Sequence, residues 1–295
     1  MRSLIFSFLL IAIALTIPVG IKRLTGGFRI EKMKIDFSSP WDGGDGENAM
    51  GPAVLAIVKQ PFHYLDRGSQ SYVFESQDKQ YVIKFFRFDS KPLAYRVFLN
   101  SLLGQKLPQN DLKIKTELLF KACKLAYERV PKETGLVFIH LNETEKNLPV
   151  LHCKDAIGRS YHLPLDKYRF VIQRKAELLT EVLEKQFKSG NREEIEKSFD
   201  AYFDLIHTRT AQAIHNADPN LSRNIGFLDG KAIEIDFGCY RDGSGLDPVQ
   251  QQLREMRRSC NQLRSWLKGR APEWIPYVER HRKEYLEQKE MQEGK

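Results

Sequence analysis

Residues 214–238 read I-H-N-A-D-P-N-L-S-R-N-I-G-F-L-D-G-K-A-I-E-I-D-F-G. Near the end of this stretch, residues 231–235 alternate and predict a short strand. Asp229 and Gly230 precede it and supply the positive φ angles that a tight turn requires. Residues 224–228 are then the partner strand, so the stretch ends in a β-hairpin.

Two side chains at the open end of this hairpin suit a metal ion. Asn224 begins one strand and Asp236 follows the other, and oxygen ligands of this kind are preferred by Mg²⁺. Asp236, Phe237 and Gly238 also form a complete Asp-Phe-Gly motif, and Asn224 stands where a catalytic-loop asparagine stands. The segment therefore resembles the catalytic loop and Asp-Phe-Gly segment of the protein-kinase-like phosphotransferases.

This resemblance implies a fold, two cofactors and a reaction. The fold is an α+β, bilobal protein-kinase-like fold with a β-rich N-lobe and a helical C-lobe. The cofactors are ATP and Mg²⁺, with Asn224 and Asp236 as the metal ligands. No Ala-Pro-Glu motif follows Gly238, so a sugar or lipid-linked acceptor is as credible as a protein, as in the aminoglycoside and lipopolysaccharide-core kinases.

The spacing between the catalytic base and the asparagine differs from that of the kinase-like family. Kinase-like loops place the catalytic Asp five residues before the Asn, whereas Asp218 precedes Asn224 by six. A one-residue insertion leaves Asp218 as the base. Otherwise Asn216 or Asn220 occupies that position, and an amide cannot accept a proton as a base. The first case predicts an enzyme and the second a pseudokinase.

The segment from residue 63 to residue 86 alternates as strands and resembles the phosphate-covering hairpin of kinases followed by their third strand. Small residues matter in such a hairpin because backbone N–H groups must approach phosphate oxygens closely. The resemblance implies that Val73 packs above adenine and that Lys84 contacts the α- and β-phosphates. The predicted nucleotide-binding residues of this segment are Gly68, Ser69, Ser71, Val73 and Lys84.

A glutamate that holds Lys84 is expected on the amphipathic helix of residues 116–130. Glu117 and Glu128 are 11 residues apart and share one helix face, so periodicity does not choose between them. Pro131 ends the helix and leaves Glu128 in its last turn. We therefore assign Glu117 to this role, with Glu128 as the alternative.

An uncharged, mostly apolar run of 19 residues, from position 3 to position 21, is long enough for a helix to cross a bilayer. It predicts an N-terminal membrane-spanning helix, and a cleaved signal peptide is the alternative. Six Lys and Arg residues against one Glu leave +5 in the first 35 residues, mostly after this run. The positive-inside rule then predicts a single-pass membrane protein with its domain in the cytoplasm.

The rest of the chain carries little net charge. Only +3 of the formal net charge of +8 remains beyond residue 35, which argues against a nucleic-acid partner. The helix predicted over residues 249–267 is nonetheless basic, which a solvated face explains; contact with anionic lipid or a phosphorylated substrate is the alternative. The four cysteines lie far apart and indicate neither a zinc site nor a disulfide framework.

These features predict a domain order and a function. The order is a membrane anchor in residues 1–23, a linker in 24–53, a kinase-like N-lobe in 54–176 and a helical C-lobe in 177–295. The expected function is a membrane-tethered phosphotransferase that moves the γ-phosphate of ATP to an unidentified acceptor. The alternative is a pseudokinase, either nucleotide-binding or an inactive interaction module.

Overall fold

The computed structural model describes residues 24–35, 50–88, 110–145 and 147–293. The chain forms two compact units, one within Met1–Thr116 and Phe138–Gln173, the other comprising Glu117–Val137 and Arg174–Lys295. The predicted membrane-spanning segment, residues 1–23, lies outside the described residues. Within the described part of the chain, no helix is long and apolar enough to cross a bilayer.

Strands supply most of the first unit and the hairpins of the second. Those in the described ranges are β1 Phe62–Arg67, β2 Ser71–Ser76, β3 Tyr81–Phe86, β4 Leu136–His140, β5 Val150–Lys154, β6 Ser160–Pro164, β7 Phe170–Arg174, β8 Glu177–Leu178, β9 Ile214–Asn216, β10 Ile225–Leu228, β11 Lys231–Glu234 and β12 Tyr240–Asp242.

Helices supply most of the second unit. The α-helices in the described ranges are α1 Pro52–Val58, α2 Asn110–Arg129, α3 Pro131–Thr134, α4 Leu179–Ser189, α5 Arg192–Ala211, α6 Leu221–Asn224, α7 Pro248–Leu267 and α8 Ile275–Glu293. This mixed α+β architecture fits the kinase-like fold that the sequence predicts.

The first unit is built on a seven-stranded sheet with the strand order β4-β7-β3-β2-β1-β5-β6. Strands β1, β2 and β3 form an antiparallel meander, as expected for residues 63–86. Strand β5 pairs with β1 in parallel and with β6 antiparallel. The consecutive strands β1 to β3 therefore lie side by side in the middle of the sheet.

An aromatic cluster fills the core of the first unit and includes a residue from the predicted linker. Phe28 packs edge-on against Tyr72, Phe74 and Tyr161, with ring centroids 5.1, 5.2 and 5.3 Å away. The Tyr72 hydroxyl also donates to the carbonyl oxygen of Gly27 at 2.9 Å. Residues 24–35, predicted to be linker, are thus a packed segment of this unit, because Phe28 is an apolar side chain that the sheet buries.

The core of the second unit lies between α5 and the helices α4, α7 and α8. The apolar face of α5 is buried there, as Phe199, Tyr202 and Phe203 illustrate. The helix ends at Ala211. Ala213 has a φ of 53°, which lies outside the helical region, and the chain turns there into β9.

The predicted hairpin is formed by β10 and β11, with Asp229 and Gly230 at φ values of 50° and 77°. Strand β8 pairs with the other edge of β10. Gly226 lies in β10 where its neighbours approach closely. A Cβ atom at this position would be 2.6 Å from the Cβ of Ala176 and 2.8 Å from Cγ2 of Ile235.

We therefore expect Gly226→Ala to lower the free energy of unfolding by about 1–3 kcal/mol, because the added methyl group must displace packed neighbours. Chemical denaturation of the purified chain measures this change. Gly245→Ala is the matched control, since no atom lies within 4 Å of a Cβ built at Gly245. Equal unfolding free energies for the two variants would contradict the close approach at Gly226.

Candidate active site

The segment that contains the predicted base pairs with the segment that follows the Asp-Phe-Gly motif. Strand β9 is antiparallel to β12, with Asn216 opposite Tyr240 and His215 opposite Arg241. The pairing continues past β9, because the Ala217 N–H donates to the carbonyl oxygen of Cys239 at 3.1 Å. Two segments separated by the whole hairpin are thereby neighbours in the second unit.

A short helix holds Asn224 against the Asp218 backbone. Asn220 begins α6, and its side-chain oxygen accepts a hydrogen bond from the Ser222 N–H at 3.1 Å. The resulting turn brings the Asn224 side chain back to the loop, where Nδ2 donates to the carbonyl oxygen of Asp218 at 2.9 Å. Nδ2 of the Asn224 amide is thus engaged, and Oδ1 is the atom suited to bind a cation.

Asp236 lies beside Asn224 because the hairpin strands pair up to that point. The Ile235 N–H donates to the Asn224 carbonyl oxygen at 2.8 Å. The Asp236 side chain is exposed, and its Oδ1 accepts from the Gly238 N–H at 3.2 Å. The carboxylate is therefore oriented by the turn of its own motif and remains accessible to solvent.

Asp218, the predicted base, and Asp236, a predicted metal ligand, both affect the pKa of the Cys239 thiol. Burial raises the pKa of the Cys239 thiol, and the negative charges of Asp236 and Asp218 raise it further. Both carboxylates therefore act on the same half-buried thiol. The second unit thus brings together the predicted base, Asp218, and the predicted metal ligands, Asn224 and Asp236.

The two asparagines that the sequence left open as alternatives to Asp218 are engaged elsewhere. Asn216 is buried; its Oδ1 accepts from the Asp218 N–H at 2.9 Å and its Nδ2 donates to Glu234 at 3.2 Å. Asn220 caps α6. Asp218, in contrast, exposes its side chain to solvent. Of the three candidates for the base, Asp218 alone has a carboxylate, and this carboxylate is exposed.

These groups fit the coordination chemistry of Mg²⁺. Asp236 and Asn224 offer two oxygen donors, which suits a hard cation that keeps several of its waters. Within the described residues, no group of three or more His, Cys, Asp and Glu side chains is placed to hold a metal ion. Two protein donors, Asp236 and Asn224, suit a cation whose remaining ligands are water or phosphate oxygens.

A buried charge network lies directly beneath the loop. The Arg209 side chain is fully buried, with Nε 3.1 Å from Glu234 and Nη2 3.0 Å from Glu255. Its Nη1 donates to the Ile214 carbonyl oxygen at 2.9 Å, at the start of β9. The Tyr240 hydroxyl donates to Glu234, and burial followed by the charge of Glu234 raises the pKa of Tyr240 well above its ordinary value.

Sequence reasoning missed this network, although each member leaves a local signal. Arg209 lies on the apolar face of α5, one helical turn beyond Ile206. Glu234 interrupts the apolar residues of a strand, and Glu255 stands among the arginines of α7. A charge inside an apolar pattern indicates a buried partner. The pattern does not identify that partner.

The predicted nucleotide-binding residues lie in the first unit on adjacent strands. Gly68 and Ser69 are exposed in the turn between β1 and β2, and Ser71 begins β2. Val73 is directly opposite Lys84 in the pairing of β2 with β3, so the two side chains share a face of the sheet. The structure therefore brings these predicted residues together within one hairpin and its neighbour.

The glutamates considered as partners for Lys84 both lie on α2. Glu117 is half-buried near the middle of this helix. Glu128 is exposed near its end and lies 3.6 Å from Lys124, one turn earlier on the same helix. The assignment of Glu117 to Lys84 stays a prediction.

No protein-family model and no curated protein matches the chain. Among solved structures, the 2.2 Å crystal structure of WbdD is 14% identical, with a TM-score of 0.37, and the match covers 65% of this chain and 35% of that one. Another structure describes WbdD as a bifunctional kinase-methyltransferase, at 15% identity and a TM-score of 0.33, covering 63% of this chain and 33% of that one.

A complex of Rv3197 with erythromycin from Mycobacterium tuberculosis is 13% identical, with a TM-score of 0.36, and the match covers 91% of this chain and 74% of that one. The chain spans about a third of the length of the WbdD chains that it matches. The order of the strands, helices and motif residues of this chain fits the kinase-like fold that the sequence predicts.

Removing Glu234 should destabilise the second unit strongly. We expect Glu234→Ala to lower the free energy of unfolding by about 3–5 kcal/mol, because it leaves buried Arg209 with one carboxylate and the Tyr240 hydroxyl without its acceptor. Urea denaturation followed by circular dichroism measures the effect. Glu193→Ala is the control, since Glu193 pairs with Lys197 on the exposed side of α5. A similar loss in both variants would show that the buried network has no special role.

Proposed function

We propose that this chain is a Mg²⁺-dependent phosphotransferase that transfers the γ-phosphate of ATP to an acceptor hydroxyl. The observation that carries the proposal is the convergence of Asp218, Asn224 and Asp236 in the second unit. The hydrogen bond from Asn224 Nδ2 to the Asp218 carbonyl oxygen, 2.9 Å long, joins the base to one metal ligand. The hydrogen bond from the Ala217 N–H to the Cys239 carbonyl oxygen, 3.1 Å long, joins the segment that contains the base to the segment that follows Asp236.

The six-residue spacing between Asp218 and Asn224 is compatible with this role. The chain between the two residues forms the turn of α6, where the Asn224 N–H donates to the Asn220 carbonyl oxygen at 2.8 Å. Because Asn216 and Asn220 use their amide oxygens inside the loop, Asp218 is the group that can accept a proton. This supports the enzyme over the interpretation in which an amide occupies the position of the base.

Phosphoryl transfer asks little covalent chemistry of the protein, since positioning and charge stabilisation supply most of the catalysis. When bound, Mg²⁺ would neutralise the negative charge of the phosphates. Asp236 and Asn224 would hold the cation, and Lys84 would contact the phosphates of ATP. Asp218 orients the acceptor hydroxyl and accepts its proton. Gly68, Ser69 and Ser71 contribute backbone N–H groups, and Val73 packs against adenine.

A pseudokinase is the second candidate, and the turn between β1 and β2 favours it. Gly68 is the sole glycine there, and Ser69 and Ser71 stand where kinases often have more glycine. A Cβ at Gly68 would meet Oγ of Ser71 at 3.4 Å, an ordinary contact, so the backbone there does not require glycine. A chain that binds nucleotide without transferring phosphate would have this composition.

The proposal further places the domain at the cytoplasmic side of a membrane, tethered by residues 1–23. The uncharged run and the basic residues that follow it support this arrangement. We expect the full chain to stay with the membrane fraction after an alkaline carbonate wash. A chain that begins at residue 24 should move to the supernatant, and its retention on the membrane would contradict the tether.

Two substitutions separate the enzyme from the pseudokinase. Asp236→Ala should remove the Mg²⁺-dependent part of the thermal shift that ATP produces, because it removes the charged metal ligand. Asp218→Asn should leave that shift unchanged and lower ATP turnover about 10²–10⁴-fold, the usual contribution of a general base. Thermal melting with and without Mg²⁺, together with ADP release in a panel of acceptors, measures both.

Asp229→Asn is the matched control, since Asp229 is an exposed carboxylate at the hairpin turn where asparagine also tolerates the positive φ. Its turnover should equal that of the unaltered chain. Binding of Mg·ATP without turnover in any acceptor would favour the pseudokinase. No binding of Mg·ATP at millimolar concentration would contradict the enzyme and the nucleotide-binding pseudokinase, and would leave the inactive interaction module.

A further inference from the structure

Helix α7 runs alongside the loop that contains Asp218. Side chains from successive turns of this helix contact successive residues of the loop. The contacts are Glu255 with His215, Arg258 with the carbonyl oxygens of Asn216 and Ala217, and Gln262 with Pro219 and Leu221. The face of α7 that contains these residues therefore borders the predicted catalytic loop over its whole length.

Arg258 places a guanidinium group next to the predicted base. Its Nη1 and Nη2 donate to the carbonyl oxygens of Asn216 and Ala217, each at 3.2 Å, and Ala217 immediately precedes Asp218. A guanidinium has five N–H donors in a fixed plane. These two contacts orient the group and leave donors for an additional anionic partner.

Arg254 lies one helical turn before Arg258, about 6 Å along the axis of α7. Its side chain is exposed, and within the part of the chain that the structure describes it forms no hydrogen bond or ion pair. Two arginines at and beyond the far end of the helix differ in this respect. Arg264 pairs with Glu279 at 3.1 Å and Arg270 pairs with Glu184 at 3.1 Å.

A third arginine approaches from the strand that follows the Asp-Phe-Gly motif. Arg241 lies opposite His215 in the pairing of β12 with β9. Its positive charge acts on the Cys239 thiol, as do the charges of Asp218 and Asp236. Arg241 is therefore a neighbour of the same thiol as the predicted base. We define Arg241, Arg254 and Arg258 as the loop-side arginine cluster.

We propose that the loop-side arginine cluster binds a phosphate monoester on the acceptor, beside the hydroxyl that Asp218 activates. Planar guanidinium groups match phosphate oxygens in paired hydrogen bonds, which a solvated lysine face does not reproduce. The inference rests on the proposed function and names its substrate class: an acceptor that already carries a phosphate. Such a phosphate occurs on soluble metabolites and on phospholipid headgroups.

Inorganic phosphate is the probe that tests the cluster. Isothermal titration is performed on the full chain in neutral detergent, with the non-hydrolysable Mg·AMP-PNP present in excess to fill the nucleotide site. We expect millimolar affinity for phosphate in the unaltered chain. Arg254→Gln should weaken that affinity about tenfold, since it removes a charge-assisted contact while the exposed side chain contributes nothing to packing.

Lys268→Gln is the matched control, because it removes the same charge from an exposed position about 21 Å further along the axis of α7. Its phosphate affinity should stay within about twofold of that of the unaltered chain, far less than one charge-assisted hydrogen bond. Absence of phosphate binding in the unaltered chain, or equal weakening by both substitutions, would overturn the proposal.

A separate titration with Mg·AMP-PNP tests the proposed function independently. Without nucleotide binding the proposed function fails, yet the phosphate titration still reports on Arg254. Mixed micelles of the same detergent and lipid then distinguish the two sources of the phosphate. Competition with bound phosphate by micelles that contain phosphatidylcholine and phosphatidic acid, but not by those with phosphatidylcholine alone, assigns the cluster to a lipid headgroup. Competition by neither kind of micelle assigns it to a soluble acceptor.

Discussion

The buried guanidinium of Arg209 is the contact on which the arrangement of the candidate active site depends. It extends from α5 and meets Glu234 of β11, Glu255 of α7 and the backbone at the start of β9. A cation inside a protein is tolerated only when its partners surround it, and removal of one partner is costly. The packing of α5, β11 and α7 is therefore restricted, because it must bring the carboxylates of Glu234 and Glu255 to Arg209. Asp218 and Asp236 each lie two residues beyond the ends of β9 and β11, and Asn224 immediately precedes β10.

The hairpin and its motif could be predicted because their signals are local. Asp229 and Gly230 specify a turn, alternation specifies the two strands, and the position of Asp236 follows from the register. The charge network could not be predicted in the same way. Arg209 and Glu255 are 46 residues apart, and the sequence contains many other carboxylates. The apolar residues around each charged residue in the sequence indicate that the charge is buried. Which residue it pairs with depends on how distant elements pack.

In the loop before Asn224, too, the sequence identifies candidate residues but does not show which groups they contact. From the sequence, Asp218, Asn216 and Asn220 were each polar residues at a credible distance from Asn224. The structure distinguishes them by their hydrogen bonds, because the amide oxygens of Asn216 and Asn220 already accept N–H groups of the loop. The packing of Phe28 was missed for a different reason. A single aromatic residue in a polar stretch gives no periodicity, and only the aromatic cluster around it explains its burial.

The position of Cys239 has a consequence for the chemical reactivity of this loop. Alkylating and oxidising reagents attack the thiolate form of cysteine, and its abundance falls as the thiol pKa rises. Burial and two adjacent carboxylates both disfavour the thiolate of Cys239, although the side chain is only half-buried. A cysteine thus stands between the predicted base and a predicted metal ligand while remaining a weak nucleophile at neutral pH. Electrophilic and oxidising reagents should therefore modify Cys239 more slowly than an exposed cysteine with an ordinary pKa.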